Sequence, residues 1–222
     1  MYAWDFQFLW NYRYLFAEGI GVTIGFTIAV VILGIIAGMV AGLMMLSRFA
    51  VIRLIASAYV ELFRCTPLLV QLIWIYYALP ILSGIELSGV SAGLIALSLY
   101  GGAFYAEIIR GGIVSIDVGQ SEAGMALGMT PLQIMKRIIL PQALKRMAPP
   151  MLNQSIIQLK NTSLVSIIAV PDLLYQGQII AHDSYKPLEV YSAIALAYLA
   201  ILFPLTTLAR YGEKKFSVRI EP

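Results

Sequence analysis

Long apolar runs constrain this chain more than any motif in it. Several reach or exceed the 18 or so residues that cross a bilayer core, a length the core helix of a water-soluble protein rarely needs. Composition agrees: 60% of the 222 residues are hydrophobic and 12% charged, against roughly half apolar and about a quarter charged in soluble domains. The reading is an all-α integral membrane protein, one domain over residues 1–222. Five transmembrane helices are expected, at about 20–46, 54–82, 91–109, 149–170 and 191–209. A net charge of +3 does not point to nucleic acid, because the basic residues sit beside apolar runs and form no single block.

Several chemistries are excluded early. Cys65 is the one cysteine and His182 the one histidine, which rules out an intrachain disulfide and a His-rich metal cluster. No Gly-x-x-x-x-Gly-Lys-Ser/Thr loop is present to cradle ATP phosphates. No nucleophile has a histidine available as base within the membrane, which disfavours an enzyme, although Glu61 and Glu107 could meet in the fold. Asp5 ahead of a late hydrophobic run lacks the basic leader of a signal peptide, so the first span is expected to be retained.

Residues 1–18 carry Trp4, Trp10, Tyr12 and Tyr14, rings that favour the headgroup zone and predict an interfacial segment. In the first span Gly34, Gly38 and Gly42 recur every four residues, and Gly21 with Gly25 repeats the spacing. Such a strip lets another helix approach closely, so it reads as packing. The second span holds Glu61, Arg64, Thr66, Pro67 and Gln71. A mid-membrane charge costs roughly 2.5–3.5 kcal/mol on insertion scales, and Glu61 and Arg64, three apart, are expected to neutralise each other. Glu107 and Arg110 repeat that spacing where the third span ends.

Pro149-Pro150 is expected to open the fourth span as first-turn prolines, and Pro171 to close it. Gln154, Gln158 and Asn161 fall at i, i+4 and i+7 and share one helix face, which Lys160, Thr162 and Ser163 widen. That face either packs against other helices or borders a water-filled path; the number of amides favours the path. Residues from Pro171 to Val190 read as an external loop with a solvated His182, and Pro204 as a kink in the fifth span. A basic tail follows, with Arg210, Lys214, Lys215 and Arg219.

Between the third and fourth spans lies a polar, helix-forming stretch, Gly119 to Pro141. It reads as two short helices joined at Gly128. Thr130, Pro131 and Gln133 supply a cap, a first-turn proline and a capping-box partner for the second helix, and Pro141 limits its far end. Met129, Leu132, Met135, Ile139 and the pair Lys136-Arg137 are expected on its outer surface, a mixture suited to a groove on another protein or to anionic lipid.

Within this stretch Glu122, Ala123, Gly128, Ile138, Leu140 and Pro141 have a spacing that resembles the Glu-Ala-Ala signature of ABC-importer permeases. Gly124 departs, where the signature has a second Ala. Phe63-Arg64-Cys65-Thr66-Pro67-Leu68 resembles the Phe-Arg-Gly-Thr-Pro-Leu segment of polar amino acid permeases, with Cys65 in place of Gly. Lys160-Asn161-Thr162-Ser163-Leu164 is similar to a third run of that family.

The resemblance implies the membrane subunit of a type I ABC importer. A second permease subunit, two ATPase subunits that bind ATP and Mg, and an extracytoplasmic solute-binding protein would be its partners. This chain would hold no cofactor. Glu122, Ala123, Gly128, Ile138, Leu140 and Pro141 would belong to the coupling helix that meets the ATPase. The expected path is Glu61, Thr66, Gln71, Gln154, Gln158, Lys160, Asn161, Thr162 and Ser163, whose neutral amides lean towards a neutral or acidic amino acid.

Orientation has separate support. With the Gly119 stretch in the cytoplasm, twelve lysines and arginines fall on the inner side or its boundary, Arg13 and Lys186 fall outside, and Lys160 lies in a span. Positive charge gathers inside, as expected for a multi-pass protein of the bacterial inner membrane with its N-terminus outside. A carrier acting alone on an ion gradient is the other reading; such carriers usually show internal repeats and more spans.

Overall fold

The computed structural model describes residues 4–216, with side chains as far as Tyr211. Lys214 and Lys215 lie beyond the described side chains, and Arg219 lies outside the described residues. The principal helices among the described residues are α1 Arg13–Met45, α2 Ala50–Cys65, α3 Leu68–Ser83, α4 Gly89–Val114, α5 Val118–Ala126, α6 Pro131–Ile168, α7 Leu173–Ser184 and α8 Pro187–Phe216. Three of them are long and apolar enough to cross a membrane alone, and five spans result if the bent pairs α2–α3 and α6–α7 each count as one.

α4 is the post of the fold. Of its membrane window 61% is buried, against 28% for α1 with its lead-in and 11% for α8. Ala92, Ala96, Ala103 and Ala106 are fully buried on it, beside Leu97 and Tyr105. Small side chains let neighbours come close, and α1 takes most advantage. A Cβ on Gly38 would lie 2.5 Å from Tyr105 Cβ and 2.9 Å from the Gly102 carbonyl oxygen, and one on Gly42 would lie 2.8 Å from the Ala106 oxygen. The Gly34-Gly38-Gly42 strip therefore packs as its spacing predicts. Gly21 and Gly25 do not: nothing stands within 4 Å of a Cβ at either, so their matching interval carries no packing.

The aromatic lead-in forms a 3-10 turn, Gln7–Tyr12, that runs straight into α1, so the first helix begins earlier than its apolar run. It is clasped to the far end of the chain. Lys186 Nζ donates to Asp5 Oδ2 at 2.5 Å, Tyr12 donates to Asp183, and the Lys186 ammonium stands over the Phe8 ring. The Lys186 hydrogen bond, with one from the Gln7 backbone, holds the Asp5 carboxyl below its ordinary range. That contribution is complete above the usual carboxylate pKa and disappears only as pH falls through the lowered one.

The second span is not continuous. α2 and α3 meet at 106°, because Pro67 excludes a helical conformation at Thr66, which is extended at φ −113°, ψ 143°. Gln71 staples the corner. Its Nε2 donates to the Phe63 carbonyl at 3.0 Å, to the Thr66 carbonyl at 3.1 Å and to the Thr66 hydroxyl, answering carbonyls that the end of α2 leaves open. Replacing Gln71 by Leu should destabilise the purified protein by about 1–3 kcal/mol, the range for stranding buried hydrogen-bond partners. An unchanged thermal melt would show that the corner does not need the staple.

Two π-turns stand just ahead of prolines. Trp74–Ala78 precedes Pro80, and Met135–Ile139 precedes Pro141. A proline ring clashes with the carbonyl four residues back, and a widened turn moves that carbonyl aside. Pro141 consequently does not end its helix, which continues through α6. Pro149 and Pro150 also lie inside that helix and do not start it. Packing on either side carries it through: Ala143 and Met147 sit against Ile109 and Ile116, and Gln154 and Gln158 are buried beyond.

The expected loop after Pro171 contains α7. The buried Asp172 caps it by accepting from Tyr175 N at 2.9 Å, and Leu173, Gln176, Gly177 and Ile180 form a buried face. His182 is exposed, as expected, and lies near Tyr185. Pro204 sits inside α8, which runs as one helix past it.

Candidate functional site

Charged groups near the α2–α3 corner pair differently from the sequence expectation. Arg64 stands 3.9 Å from Glu107 of α4, and Arg110 approaches the same carboxylate at 2.8 Å. Glu61 instead accepts from the Cys65 thiol at 3.3 Å. Arg64 thus faces a carboxylate on the adjacent helix, shared with Arg110, and not its neighbour three residues back on α2.

The polar face of α6 divides by role. Gln158 is fully buried; its Nε2 donates to the Leu97 carbonyl of α4 at 2.8 Å and its Oε1 accepts from Asn161 at 3.2 Å. Opposite stands Gly101, where a Cβ would come within 2.4 Å of that amide nitrogen. Gln158 is thus a tie between helices and does not line open space. Thr162, also buried, donates to the Leu159 oxygen, Ser163 to Lys160 and Ser166 to Ser163. These bonds to carbonyls three residues back accompany the tightening of α6 into a 3-10 turn over Thr162–Ile168. Thr66 and Gln71 serve the α2–α3 corner. Of the expected path residues, Glu61 and Lys160 are exposed, and Asn161 and Ser163 are half-buried.

Gln154 differs from all of these. It is buried, and its Nε2 has no partner among the described residues; Gln71 Oε1 and Ser98 Oγ share that state. An unanswered polar atom in an apolar interior costs about 1–3 kcal/mol, so these atoms on α3, α4 and α6 mark where the helices leave polar capacity unused. Ser98 was missed by the sequence reading, as was the Tyr105–Ser155 hydroxyl pair at 2.8 Å joining α4 to α6.

The stretch between α4 and α6 is built for rigidity. Asp117 caps α5 by accepting from Gly119 N at 2.7 Å. Gly128 ends it in the left-handed conformation, φ +73°, with Gly128 N bonded to the Met125 oxygen and Met129 N to the Gly124 oxygen. Thr130 and Gln133 complete a capping box around Pro131 at the start of α6. Ile134 and Ile138 fold back over Gly124, where a Cβ would lie 2.8 Å from Ile134 Cγ1. The departure from the signature at Gly124 therefore falls at the contact between the two helices. Arg146 donates to the Ser115 carbonyl, fastening the pair to the base of α4.

This construction leaves an apolar ridge outward: Leu127 is 80% exposed, Leu132 62%, Met125 59% and Met135 36%. Lys136 and Arg137 are exposed beside it, as are Glu122, Ala123, Leu140 and Pro141. Ile139 is not on the ridge; it packs with Ile109, Ile116, Ala143 and Met147. Met129 and Ile138 are likewise half-buried. Among the described residues no cluster of three His, Cys, Asp or Glu side chains could hold a metal.

Residues 31–218 match the family described as the binding-protein-dependent transport system inner membrane component. The glutamine transport system permease protein GlnP of Escherichia coli K12 is 39% identical over 165 residues, 74% of this chain and 75% of that protein. The probable glutamine ABC transporter permease protein GlnM of Bacillus subtilis 168 is 40% identical over 172 residues, 78% of this chain and 79% of that one. Among solved structures, an amino acid ABC transporter crystallised with histidines superposes with a TM-score of 0.91 at 37% identity, covering 96% of this chain and all of that one. The MetNI methionine ABC transporter shares the fold alone, with a TM-score of 0.77 at 20% identity over 92% of this chain and 97% of that one. The chain belongs to the family of binding-protein-dependent transport system inner membrane components, as a permease of the amino acid ABC transporter type.

Proposed function

We propose that the chain is the membrane-spanning subunit of an ATP-driven importer of a polar amino acid, with glutamine the first candidate because the similar GlnP of Escherichia coli is a glutamine transport system permease. The observation that carries the reading is the apolar ridge of Leu127, Leu132, Met125 and Met135 on a doubly capped helix pair. Water does not favour such a ridge, and a groove on a partner does. The partners proposed are a second permease subunit, two ATPase subunits that hold ATP and Mg, and an extracytoplasmic solute-binding protein. The helix pair lies in the cytoplasm and the N-terminus outside, as the distribution of lysine and arginine supports.

In this mechanism the ATPase subunits close around ATP and draw the coupling helices together. Because ATP binds the closed state better, its binding free energy shifts the spans from inward- to outward-facing. Amides and hydroxyls suit the substrate: they bind its α-carboxylate and α-ammonium without the grip of a fixed charge. Gln154 is the centre of the proposed path, since its amide nitrogen is unanswered among the described residues. Glu61, Lys160, Asn161 and Ser163 are proposed with it as path residues, whereas Gln71, Thr66, Gln158 and Thr162 act on the path through helix geometry.

Reconstitution in liposomes with the ATPase and binding protein tests the whole reading. Glutamine uptake is expected to require both partners and ATP, and uptake by this chain alone on an ion gradient would favour the carrier instead. Gln154→Ala and Asn161→Ala should each lower uptake about tenfold or more, as the loss of hydrogen bonds to a charged ligand does. Normal uptake by both variants would move the path elsewhere.

A further inference from the structure

Arg13 is a cation with no carboxylate partner among the described residues. Its guanidinium donates to the Trp10 carbonyl oxygen at 2.9 Å and to the Tyr14 hydroxyl at 3.3 Å, and lies 5.2 Å and 4.4 Å from the centres of those two rings. These contacts hold the group in place without neutralising it, and most of its five N–H donors stay open. Glu18 is five residues on, about 140° round the helix, and faces away. Trp10 and Tyr14 are 72% and 71% exposed, the amphipathic rings of a membrane boundary.

The guanidinium stands at one end of a seam between α1 and α8. Trp10, Arg13, Phe16 and Ile20, with Ala193 of α8, border a groove of about 490 Å³. One turn further along begins a second groove, about 580 Å³, between Ile24, Ile28 and Ile32 of α1 and Ala200 and Pro204 of α8, with Leu159 of α6 beside them. The one hydroxyl lining it, on Thr27, is taken by the Thr23 carbonyl at 2.7 Å, so the groove offers carbon alone. α1 and α8 are also the spans with the least buried windows. From Arg13 to Ile24 is about 16 Å along the helix, near half of the roughly 30 Å hydrocarbon core. A chain anchored at Arg13 therefore enters the apolar groove within its own leaflet.

We propose that this seam binds one anionic phospholipid, with its phosphate on Arg13 and an acyl chain in the α1–α8 groove. Charge complementarity selects the occupant: a protein helix would fill the apolar groove but would leave the guanidinium unanswered unless it also brought an acid to that level. The bound lipid joins α1 to α8, helices that otherwise meet chiefly through α6 and α7.

The test is native mass spectrometry of the chain purified with its associated subunits and exchanged into phosphatidylglycerol or phosphatidylcholine. Phosphatidylglycerol should be retained preferentially. Arg13→Gln should reduce that retention roughly fivefold, the weight of one arginine at an anionic lipid surface, and Arg13→Lys should restore most of it. Ala200→Trp should fill the groove and displace both lipids, with helix content by circular dichroism unchanged. Inorganic phosphate should not compete, since the acyl chain provides much of the binding. Equal retention by Arg13→Gln and the parent would overturn the proposal. So would an Ala200→Trp variant that keeps its lipid but loses the second membrane subunit, because the groove would then belong to a protein helix.

Discussion

Leu127→Asp and Leu132→Asp are each expected to strip the ATPase from the purified assembly while the membrane helices stay folded. Both side chains lie on the ridge of the capped helix pair, 80% and 62% exposed, so neither supports the chain's own core. Truncation at the centre of a docked surface costs about 2 kcal/mol or more, roughly thirtyfold in affinity, and a carboxylate forced into an apolar groove costs more. ATPase co-purification and ATP-driven uptake should fall together, with normal membrane yield. Retention of the ATPase by both variants would remove the ridge from the contact. Gly128→Val should weaken the same contact less directly, since a β-branched residue at φ +73° costs about 1–2 kcal/mol locally and tilts α5 against α6.

Gly38→Leu should be the most damaging single change in the membrane region. The added carbon would meet Tyr105 Cβ at 2.5 Å and the Gly102 carbonyl at 2.9 Å, and a carbonyl held in its own helix cannot move aside. Overpacking usually costs about 1–3 kcal/mol, and more where backbone is the obstacle. The folded peak in fluorescence size-exclusion should be lost, because α1 against α4 is the main interface of the bundle. Gly21→Leu is the matched control: with nothing within 4 Å, it should purify like the parent. If Gly38→Leu also purified normally, close approach of these helices would not be what holds the bundle together.

What could be read from sequence was what is decided locally. Thr130, Pro131, Gln133 and Gly128 each act on their own turn, so their spacing suffices to place two helices and the joint between them. Apolar length marks the membrane segments for the same reason. Pairings across space were not legible. Arg64 has Glu61 one turn away but meets Glu107 because α2 lies along α4, and no spacing within α2 records that. Pro149 and Pro150 carry the local signal of a helix start, which packing by Ala143, Met147 and Gln154 overrides.

α7 shows a missed signal of a different kind. Leu173, Gly177 and Ile180 have helical spacing, but Asp172, His182, Asp183 and Lys186 around them gave the segment the composition of a loop. The polar residues of α6 lie on one helix, yet they divide into ties and open groups by where α4 happens to stand. Gln158 reaches a carbonyl on α4, and the amide nitrogen of Gln154, one turn away on the same face, has no partner among the described residues.

α6 runs without interruption from Pro131, inside the capped pair, to Ile168, beyond the buried amides. The bearing of the outward ridge relative to Gln154 is therefore a matter of residue count. Each residue inserted or deleted between them would swing one end about 100° around the helix axis and shift it about 1.5 Å along it. Many side chains on this rod can change while the two ends keep their relative phase, but its length cannot.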